Sequence, residues 1–109
     1  MKMVKVYIAS PYTKGDIAVN VKIQMDTANE LMNAGICSYV PLLNHFLHMA
    51  HPRPAEDWYA MDKEWLVVCD AVLRLPGESE GADAEMVLAQ RSGIPVYYSI
   101  QEVVRAYGR

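Results

Sequence analysis

Residues 71–85 read AVLRLPGESEGADAE, an apolar run followed by a loop with glycine and an acidic segment. The run Ala71–Leu75 predicts a β-strand, and Ser79–Glu85 predicts a loop and the first turn of a helix. In open α/β sheets ligands bind where strands end and helices begin, because free backbone N–H groups lie there. We therefore predict an α/β fold in which an ionised Glu85 points at a ligand crevice. The alternative is that Asp83 and Glu85 are ordinary acidic residues of a helix N-terminus.

The rest of the chain alternates predicted strands with predicted helices. The strands are Val4–Ala9, Ile36–Val40, Ala71–Leu75 and Ile94–Tyr98, and the helices run from near Asp16 to before Gly35, from about Glu56 to Cys69, from Ala82 to Ser92 and from Ile100 to Tyr107. Between the second strand and the second long helix, Leu42–Pro54 is predicted to form a short helix and a stiff loop. This alternation implies parallel βαβ units with right-handed crossovers.

Such units predict one α/β domain over residues 1–109, a three-layer sandwich of the flavodoxin-like or Rossmann-like type. Its short parallel sheet would have four or five strands with helices on both faces. The simplest strand order is 2-1-3-4, which places a topological switch point between the first and third strands. Tyr7, Ser10 and Glu85 would then lie near one another in a single crevice.

The spacing of apolar residues predicts which side chains form the core. In the first long helix they recur every three or four positions, at Ile17, Val21, Met25, Ala28 and Met32. Five methionines are interpreted as core fillers, namely Met25, Met32, Met49, Met61 and Met86. Cys37 and Cys69 are predicted to be small buried hydrophobic residues rather than a disulfide.

The composition limits the classes of protein to which the chain can belong. Of 109 residues, 52% are apolar and 21% are charged, which indicates a globular chain rather than a disordered one. A net charge of −3 without a basic cluster argues against nucleic-acid binding. No apolar run reaches the length of a membrane span, and the first residues enter a strand rather than a signal peptide. With only two cysteines, the chain is expected to be cytoplasmic and to bind neither nucleic acid nor membrane.

Three polar side chains are candidates for catalysis at the predicted crevice. Asp62 and Glu85 form a pair of carboxylates in different surroundings, which is the equipment for cleaving glycosidic bonds. Tyr7 on the first strand is placed to orient a carboxylate by hydrogen bonding. The structural alternatives are that Tyr7 only packs in the core and that Asp62 is a solvated helix residue paired with a lysine.

The histidines of the middle segment raise the question of a metal site. His45, His48 and His51 are spaced by three residues, but no carboxylate or cysteine completes a ligand set. We therefore expect no metal, and we interpret these histidines, His45 in particular, as a lid that contacts the substrate. The helical spacing of Trp58, Tyr59 and Trp65 favours packing or an interface over base stacking. For Arg74, inside a predicted strand, the alternatives are pairing with Asp70 or Glu78 or reaching an edge of the sheet.

Taken together, four segments resemble the nucleoside 2-deoxyribosyltransferase superfamily, which includes small 2′-deoxynucleoside 5′-monophosphate N-glycosidases. The segments are Val6–Tyr12, Asp62–Leu66, Cys69–Ala71 and Ser79–Glu85. The resemblance implies that Glu85 is a nucleophile forming a covalent glycosyl intermediate, that Asp62 assists the departing base and that Tyr7 positions the nucleophile. It also implies a phosphate contact for Ser79, supported by the Gly81 N–H, and a homodimer or larger assembly without a cofactor.

Two segments depart from the pattern of this superfamily. Ser10–Asp16 lacks the arginine or glycine-rich phosphate grip of the monophosphate hydrolases, and Lys14 is its nearest cation. Ser99–Arg109 contains no clear match to the C-terminal residue that completes a neighbouring subunit's site. The predicted function is cleavage or exchange of the N-glycosidic bond of a (deoxy)nucleoside or its 5′-monophosphate. The alternative is a non-catalytic module that binds or senses a nucleotide in the same crevice.

Overall fold

The structure is a computed structural model that describes residues 2–109, so that Met1 of the predicted domain lies outside the described residues. In chain order the elements are β1 (Lys5–Ala9), α1 (Ile17–Asn33), β2 (Cys37–Tyr39), a 3-10 turn (Pro41–Leu43), α2 (Asn44–Ala50), α3 (Ala55–Leu66), β3 (Ala71–Arg74), α4 (Glu80–Arg91), β4 (Val96–Tyr97) and α5 (Ile100–Tyr107). None of the helices within residues 2–109 combines the length and the apolarity that crossing a membrane requires.

The four strands form one parallel sheet in the order β2-β1-β3-β4. The predicted order and the flavodoxin-like sandwich are therefore confirmed. The two central strands pair in register from Val6 opposite Ala71 to Ala9 opposite Arg74. Residues 6–9 and 71–73 are fully buried, as expected for a parallel sheet covered on both faces. The two central strands end side by side, and the loops that follow them open onto the same edge of the sheet.

Successive side chains of each strand enter two different cores. On one face, Val6 and Ile8 pack with Leu31 of α1 and Val103 of α5. On the other face, Tyr7 packs with the third and fourth helices, against Leu66, Ala82 and Met86. Tyr7 therefore points toward the same layer that carries Asp62 and Glu85.

The predicted core face of α1 is wrong in part. Its buried residues are Val21, Gln24, Thr27 and Leu31, whereas Met25 is 45% exposed and Met32 is 70% exposed. Polar Gln24 can be buried because both ends of its side-chain amide are hydrogen-bonded. The Gln24 amide nitrogen donates to the Ile8 carbonyl, and the amide oxygen accepts from the Leu42 N–H. An apolar repeat alone does not reveal this arrangement.

Two other core predictions also need correction. Met86 and Cys69 are buried as expected, but Met49 and Cys37 are exposed. Met49 lies on α2, a helix of seven residues with no buried side chain. Cys37 begins β2, which is an edge strand of the sheet. In both cases the side chain lies at the edge of the domain, where no further helix or strand of residues 2–109 packs over it.

Several element boundaries differ from the predicted ones for local reasons. Helix α4 starts at Glu80 rather than Ala82, because the Ser79 hydroxyl caps it by accepting the Ala82 N–H at 3.1 Å. Helix α3 ends at Leu66 rather than Cys69, and the Cys69 N–H turns back to the Leu66 carbonyl.

A close contact joins the loops that follow β1 and β3. Gly77 has a φ of +120°, and a Cβ at this position would lie 2.7 Å from Cγ of Pro11. Only glycine combines this backbone conformation with this contact. The loop before α4 is thus held against the loop that carries Ser10.

We predict that Gly77→Ala destabilises the protein by roughly 2–3 kcal/mol, because backbone strain and a steric clash add together. Gly93→Ala is the matched control: Gly93 also has a positive φ, of +71°, but nothing lies within 4 Å of its added Cβ. That variant should lose only about 1 kcal/mol. Urea unfolding of the three proteins measures the difference, and equal losses would contradict the proposed contact between the loops.

Candidate active site

A cavity of about 750 Å³ opens at the carboxyl edge of the sheet. Its walls come from the loops after β1 and β3, from α2 and α3, and from the start of α4. Six of the predicted site residues line it: Ser10, His45, Asp62, Ser79, Gly81 and Glu85. The seventh, Tyr7, is fully buried behind the wall, and its hydroxyl reaches Glu85. The structure thus brings the predicted set together at one place.

Glu85 is bound by the Tyr7 hydroxyl, which donates a hydrogen bond to Oε2. The pKa of Glu85 is raised to about 7, chiefly by burial and also by the negative charge of Asp62, while the Tyr7 hydrogen bond and the charge of Arg74 limit the rise. The ionised Glu85 that the sequence suggested stays a prediction, and the burial of this carboxyl acts against ionisation. Glu85 lies beyond the first turn of α4, where the helix dipole has little effect.

Burial also raises the pKa of Tyr7, and the charges of Glu85 and Asp62 act in the same direction. The phenol therefore keeps its proton and acts only as a donor toward Glu85. Because Tyr7 is fixed in the central strand and has no exposed surface, its hydroxyl is a rigid support for the carboxyl.

Asp62 is buried on α3, rather than solvated and paired with a lysine. Its Oδ1 accepts hydrogen bonds from the Tyr39 hydroxyl and from the Asn44 amide, both at 3.2 Å, and Asn44 also donates to Tyr39 at 3.2 Å. Burial raises the pKa of Asp62 to about 6, and the hydrogen bonds from Tyr39 and Asn44 limit the increase. Tyr39 and Asn44 were not among the predicted site residues.

An aromatic stack connects the two carboxyl groups from behind. Tyr39 stacks on Tyr7 with ring centroids 5.4 Å apart, and on Trp65 with centroids 5.5 Å apart. Tyr39 lies directly opposite Tyr7 in the sheet register. This pairing was the sequence signal for Tyr39, since the end of β2 must lie beside the end of β1 once the strand order is known.

Ser10 faces the cavity with its hydroxyl proton available. Its Oγ accepts a hydrogen bond from the Gln24 amide at 2.8 Å, which leaves the O–H to donate to a ligand. Gln24 also binds the Ile8 carbonyl at 3.0 Å. Gln24 therefore connects the end of β1 with the cavity wall. The sequence alone did not reveal this role, because the apolar spacing of α1 contains no sign that Gln24 faces inward.

The start of α4 forms the side of the cavity nearest β3. Ser79 is the N-cap, and Glu80 and Gly81 are the first helical residues, whose N–H groups have no acceptor within the helix. Lys14, also at the cavity, forms an exposed ion pair with Glu78 at 3.2 Å. Within residues 2–109 the Ser79 hydroxyl accepts a hydrogen bond from the Ala82 N–H and donates none, so its own proton can be donated to a ligand.

Arg74 stabilises the loop between β3 and α4. Its guanidinium donates to the carbonyls of Leu75 and Gly77 and to the carboxylate of Asp83, at 3.0 Å for the last. The prediction that Arg74 pairs with Asp70 or Glu78 is wrong. The charge of Arg74 lowers the pKa of Glu85, but it is the smallest of the effects that act on this carboxyl.

The histidines of α2 are engaged by aromatic residues. Nδ1 of His45 lies 2.6 Å from the Tyr12 hydroxyl, and Nδ1 of His48 accepts the indole N–H of Trp58 at 2.9 Å. Trp58 and Tyr59 line the cavity, whereas Trp65 belongs to the stack behind it. Across residues 2–109 no group of three or more histidines, cysteines, aspartates or glutamates is arranged to hold a metal ion.

A sequence family described as Domain of unknown function (DUF7768) matches residues 4–99. The chain belongs to this family. In a solved structure, the 2-deoxyribosyltransferase from the psychrotolerant bacterium Bacillus psychrosaccharolyticus, the fold is similar over 85% of this chain and 69% of that chain, with a TM-score of 0.62 and 19% identity. At this identity the likeness shows a shared fold. No curated protein matches the chain in sequence.

The raised pKa of Glu85 predicts how stability depends on pH. The ordinary glutamate value is 4.5 and the folded value is about 7, so the folded state binds more protons between these limits. The free energy of unfolding therefore falls as the pH rises through this window. Glu85→Gln keeps an acceptor for Tyr7 and removes the charge, and it should be more stable than the wild type at pH 8 by roughly 1–3 kcal/mol.

This difference should shrink toward zero at pH 4, where Glu85 is neutral in both states. Urea unfolding at the two pH values measures it. Glu64→Gln, an exposed site on α3, is the control and should show no such dependence on pH. A Glu85→Gln variant that is less stable than the wild type at pH 8 would contradict the claim that burial of the Glu85 charge destabilises the folded state.

Proposed function

We propose that this chain is an enzyme that cleaves or exchanges the N-glycosidic bond of a (deoxy)nucleoside or its 5′-monophosphate. The observation that carries the proposal is the pair of carboxyls at one cavity, Glu85 held by Tyr7 and Asp62 held by Tyr39 and Asn44. Two carboxyls with different hydrogen-bond partners and titration near neutrality suit a nucleophile and an acid. The fold shared with a 2-deoxyribosyltransferase is consistent with this chemistry.

In the proposed reaction, ionised Glu85 attacks the anomeric carbon of the sugar while the bond to the base breaks. Protonated Asp62 gives its proton to the departing base, and a glycosyl ester forms on Glu85. An acceptor then attacks the anomeric carbon and gives its proton to the Asp62 carboxylate, while the bond between the sugar and Glu85 breaks and its electron pair returns to the Glu85 carboxylate. Tyr7 holds this carboxylate in place in both steps by donating its hydrogen bond. Water as the acceptor makes the enzyme a hydrolase, and a second base makes it a transferase.

The pair needs one proton in total to start this reaction. The pKa values of about 7 for Glu85 and about 6 for Asp62 put the singly protonated pair near neutral pH. The charge of Asp62 influences the titration of Glu85, so the two groups titrate as an interacting pair, and the reaction starts from the form with Asp62 protonated and Glu85 ionised. A base nitrogen that accepts a hydrogen bond from Asp62 favours this arrangement once the substrate is bound.

We predict that the protein releases free base from at least one member of a panel of nucleosides and 5′-monophosphates. Glu85→Ala should lower the rate by at least about 10³-fold, because it removes the nucleophile. Glu64→Ala, on the exposed side of α3, is the control and should retain full activity. Mass detection with and without a second free base measures release and exchange in one assay.

Two outcomes would contradict the proposal. The first is that no member of the panel releases base, and the second is that Glu85→Ala does so as fast as the wild type. Ligand-induced increases in the melting temperature without base release, unchanged in Glu85→Gln, would instead favour the nucleotide-binding module.

The start of α4 is proposed to bind the 5′-phosphate when the substrate carries one. Ser79 offers a hydroxyl proton there, and Gly81 offers a backbone N–H at the positive end of the helix dipole. Both line the same cavity as Glu85. Glu80 also lines the cavity, so phosphate binding here would depend on directed hydrogen bonds more than on net positive charge.

If this subsite is used, Ser79→Gly should raise the KM for a 5′-monophosphate roughly 10-fold, because one hydrogen bond to a charged group is lost. Glycine is a tolerated N-cap, so the helix start should survive. The KM for the matching nucleoside without phosphate should change less than about 2-fold, which separates phosphate binding from capping. Equal changes for both substrates would contradict the phosphate role of Ser79.

A further inference from the structure

Helices α2 and α3 are bridged by two side-chain hydrogen bonds at the cavity wall. Asn44 donates to Asp62 at 3.2 Å, and four residues further along α2, His48 accepts from Trp58 at 2.9 Å. Trp58 precedes Asp62 by four residues on α3, so the two bridges are about one helical turn apart, or about 5 Å along the helices. All four side chains line the cavity.

We call the Asn44–Asp62 hydrogen bond the inner bridge and the His48–Trp58 hydrogen bond the outer bridge. The outer bridge fixes the tautomer of His48. Its Nδ1 accepts two hydrogen bonds, from the Trp58 indole at 2.9 Å and from the Arg53 backbone N–H at 3.2 Å. Two donors on one ring nitrogen require a lone pair there, so the ring proton is on Nε2. Throughout residues 2–109 no hydrogen bond is recorded for this Nε2. His48 lines the cavity, and the donors from Trp58 and Arg53 on its Nδ1 make its Nε2 a hydrogen-bond donor.

We propose that His48 is a specificity-determining residue whose Nε2–H donates to a carbonyl oxygen on the far edge of the nucleobase. This inference rests on the proposed function, which places the glycosidic bond between Glu85 and Asp62. The cavity continues from Asp62 along α3 to Trp58 and His48, so a base that departs beside Asp62 and extends along this wall would bring its far edge to His48.

The chemistry of this donor selects between bases. A carbonyl at the far edge, as in uracil, accepts the Nε2–H. An amino group at the same position, as in cytosine, places one donor against another and leaves both without a partner. Recognition by a fixed donor therefore favours oxo bases over amino bases of the same size. The indole of Trp58, edge-on to His48 with ring centroids 5.7 Å apart, keeps the imidazole from turning.

The tautomer can be measured without any turnover. In the ¹⁵N-labelled protein, two-bond proton–nitrogen correlations should show His48 with a protonated Nε2 and an unprotonated Nδ1. Trp58→Phe keeps an aromatic ring and removes the indole donor, so it should give a mixture of tautomers. His48→Phe identifies the signals by their loss. A wild-type His48 protonated on Nδ1 would overturn the inference.

Base selection is measured by binding in the Glu85→Gln background, which lacks the nucleophile. Deoxyuridine and deoxycytidine, each with and without a 5′-phosphate, are titrated while the His48 signals are followed. Deoxyuridine should shift the Nε2 resonance and bind at least about 10-fold more tightly than deoxycytidine. His48→Phe should reduce this ratio to below about 3-fold, and Met49→Ala, an exposed neighbour on α2, should preserve it.

Equal binding of the two compounds, a ratio that persists in His48→Phe, or no shift of the His48 signals at millimolar ligand would each overturn the inference. The outcome is distinguishable from failure of the proposed function. A protein that binds deoxyuridine selectively but never releases base would retain the His48 assignment and lose the enzymatic one. A protein that binds deoxyuridine and deoxycytidine equally and releases their bases equally well would retain the enzymatic assignment and lose the His48 assignment.

Discussion

The hydrogen bond from Tyr7 to Glu85 is the interaction on which the rest of the site depends. It joins a fully buried residue of the central strand to the second turn of α4, and so fixes that helix over the end of the sheet. It also holds a carboxyl where water cannot fully solvate it. A carboxyl in such a place reduces the stability of the folded state near neutral pH, and side chains with strongly perturbed pKa values cluster at functional sites.

Burial raises the pKa of both carboxyls, and neither carboxyl has a direct ion pair that would offset this effect within residues 2–109. Arg74 lies close enough to lower the pKa of Glu85, but its guanidinium is bound to Asp83 and to loop carbonyls. Asp62 is bound by neutral groups only, Tyr39 and Asn44. An arginine bound directly to either carboxyl would keep it ionised throughout the neutral range. The hydrogen bonds of the Arg74 guanidinium thus stabilise the loop before α4, and none of them goes to Glu85 or Asp62 within residues 2–109.

The sequence predicted the features that follow from chain order, and it missed those that follow from packing. Alternating strands and helices were sufficient for the sheet order, and that order brought Tyr7 and Glu85 to one edge. The inward face of α1 was missed because Gln24 is buried by its hydrogen bonds and not by its hydropathy. Asn44 was missed because the position of α2 is set by contacts with distant residues. The protonation of Glu85 depends on burial, which no local pattern reveals.

A shared fold does not by itself determine a reaction, because the same sandwich supports many chemistries. In this chain the proposed chemistry depends on the cavity wall formed by α2 and α3. Its inner bridge orients the group proposed to protonate the base, and its outer bridge orients a donor one helical turn away. Because the two helices are joined at both points, a shift of α2 moves His48 and Asn44 together. A base that fails to engage His48 would therefore also be poorly placed for Asp62, and selection of the base would be expressed in the rate of its departure as well as in its binding.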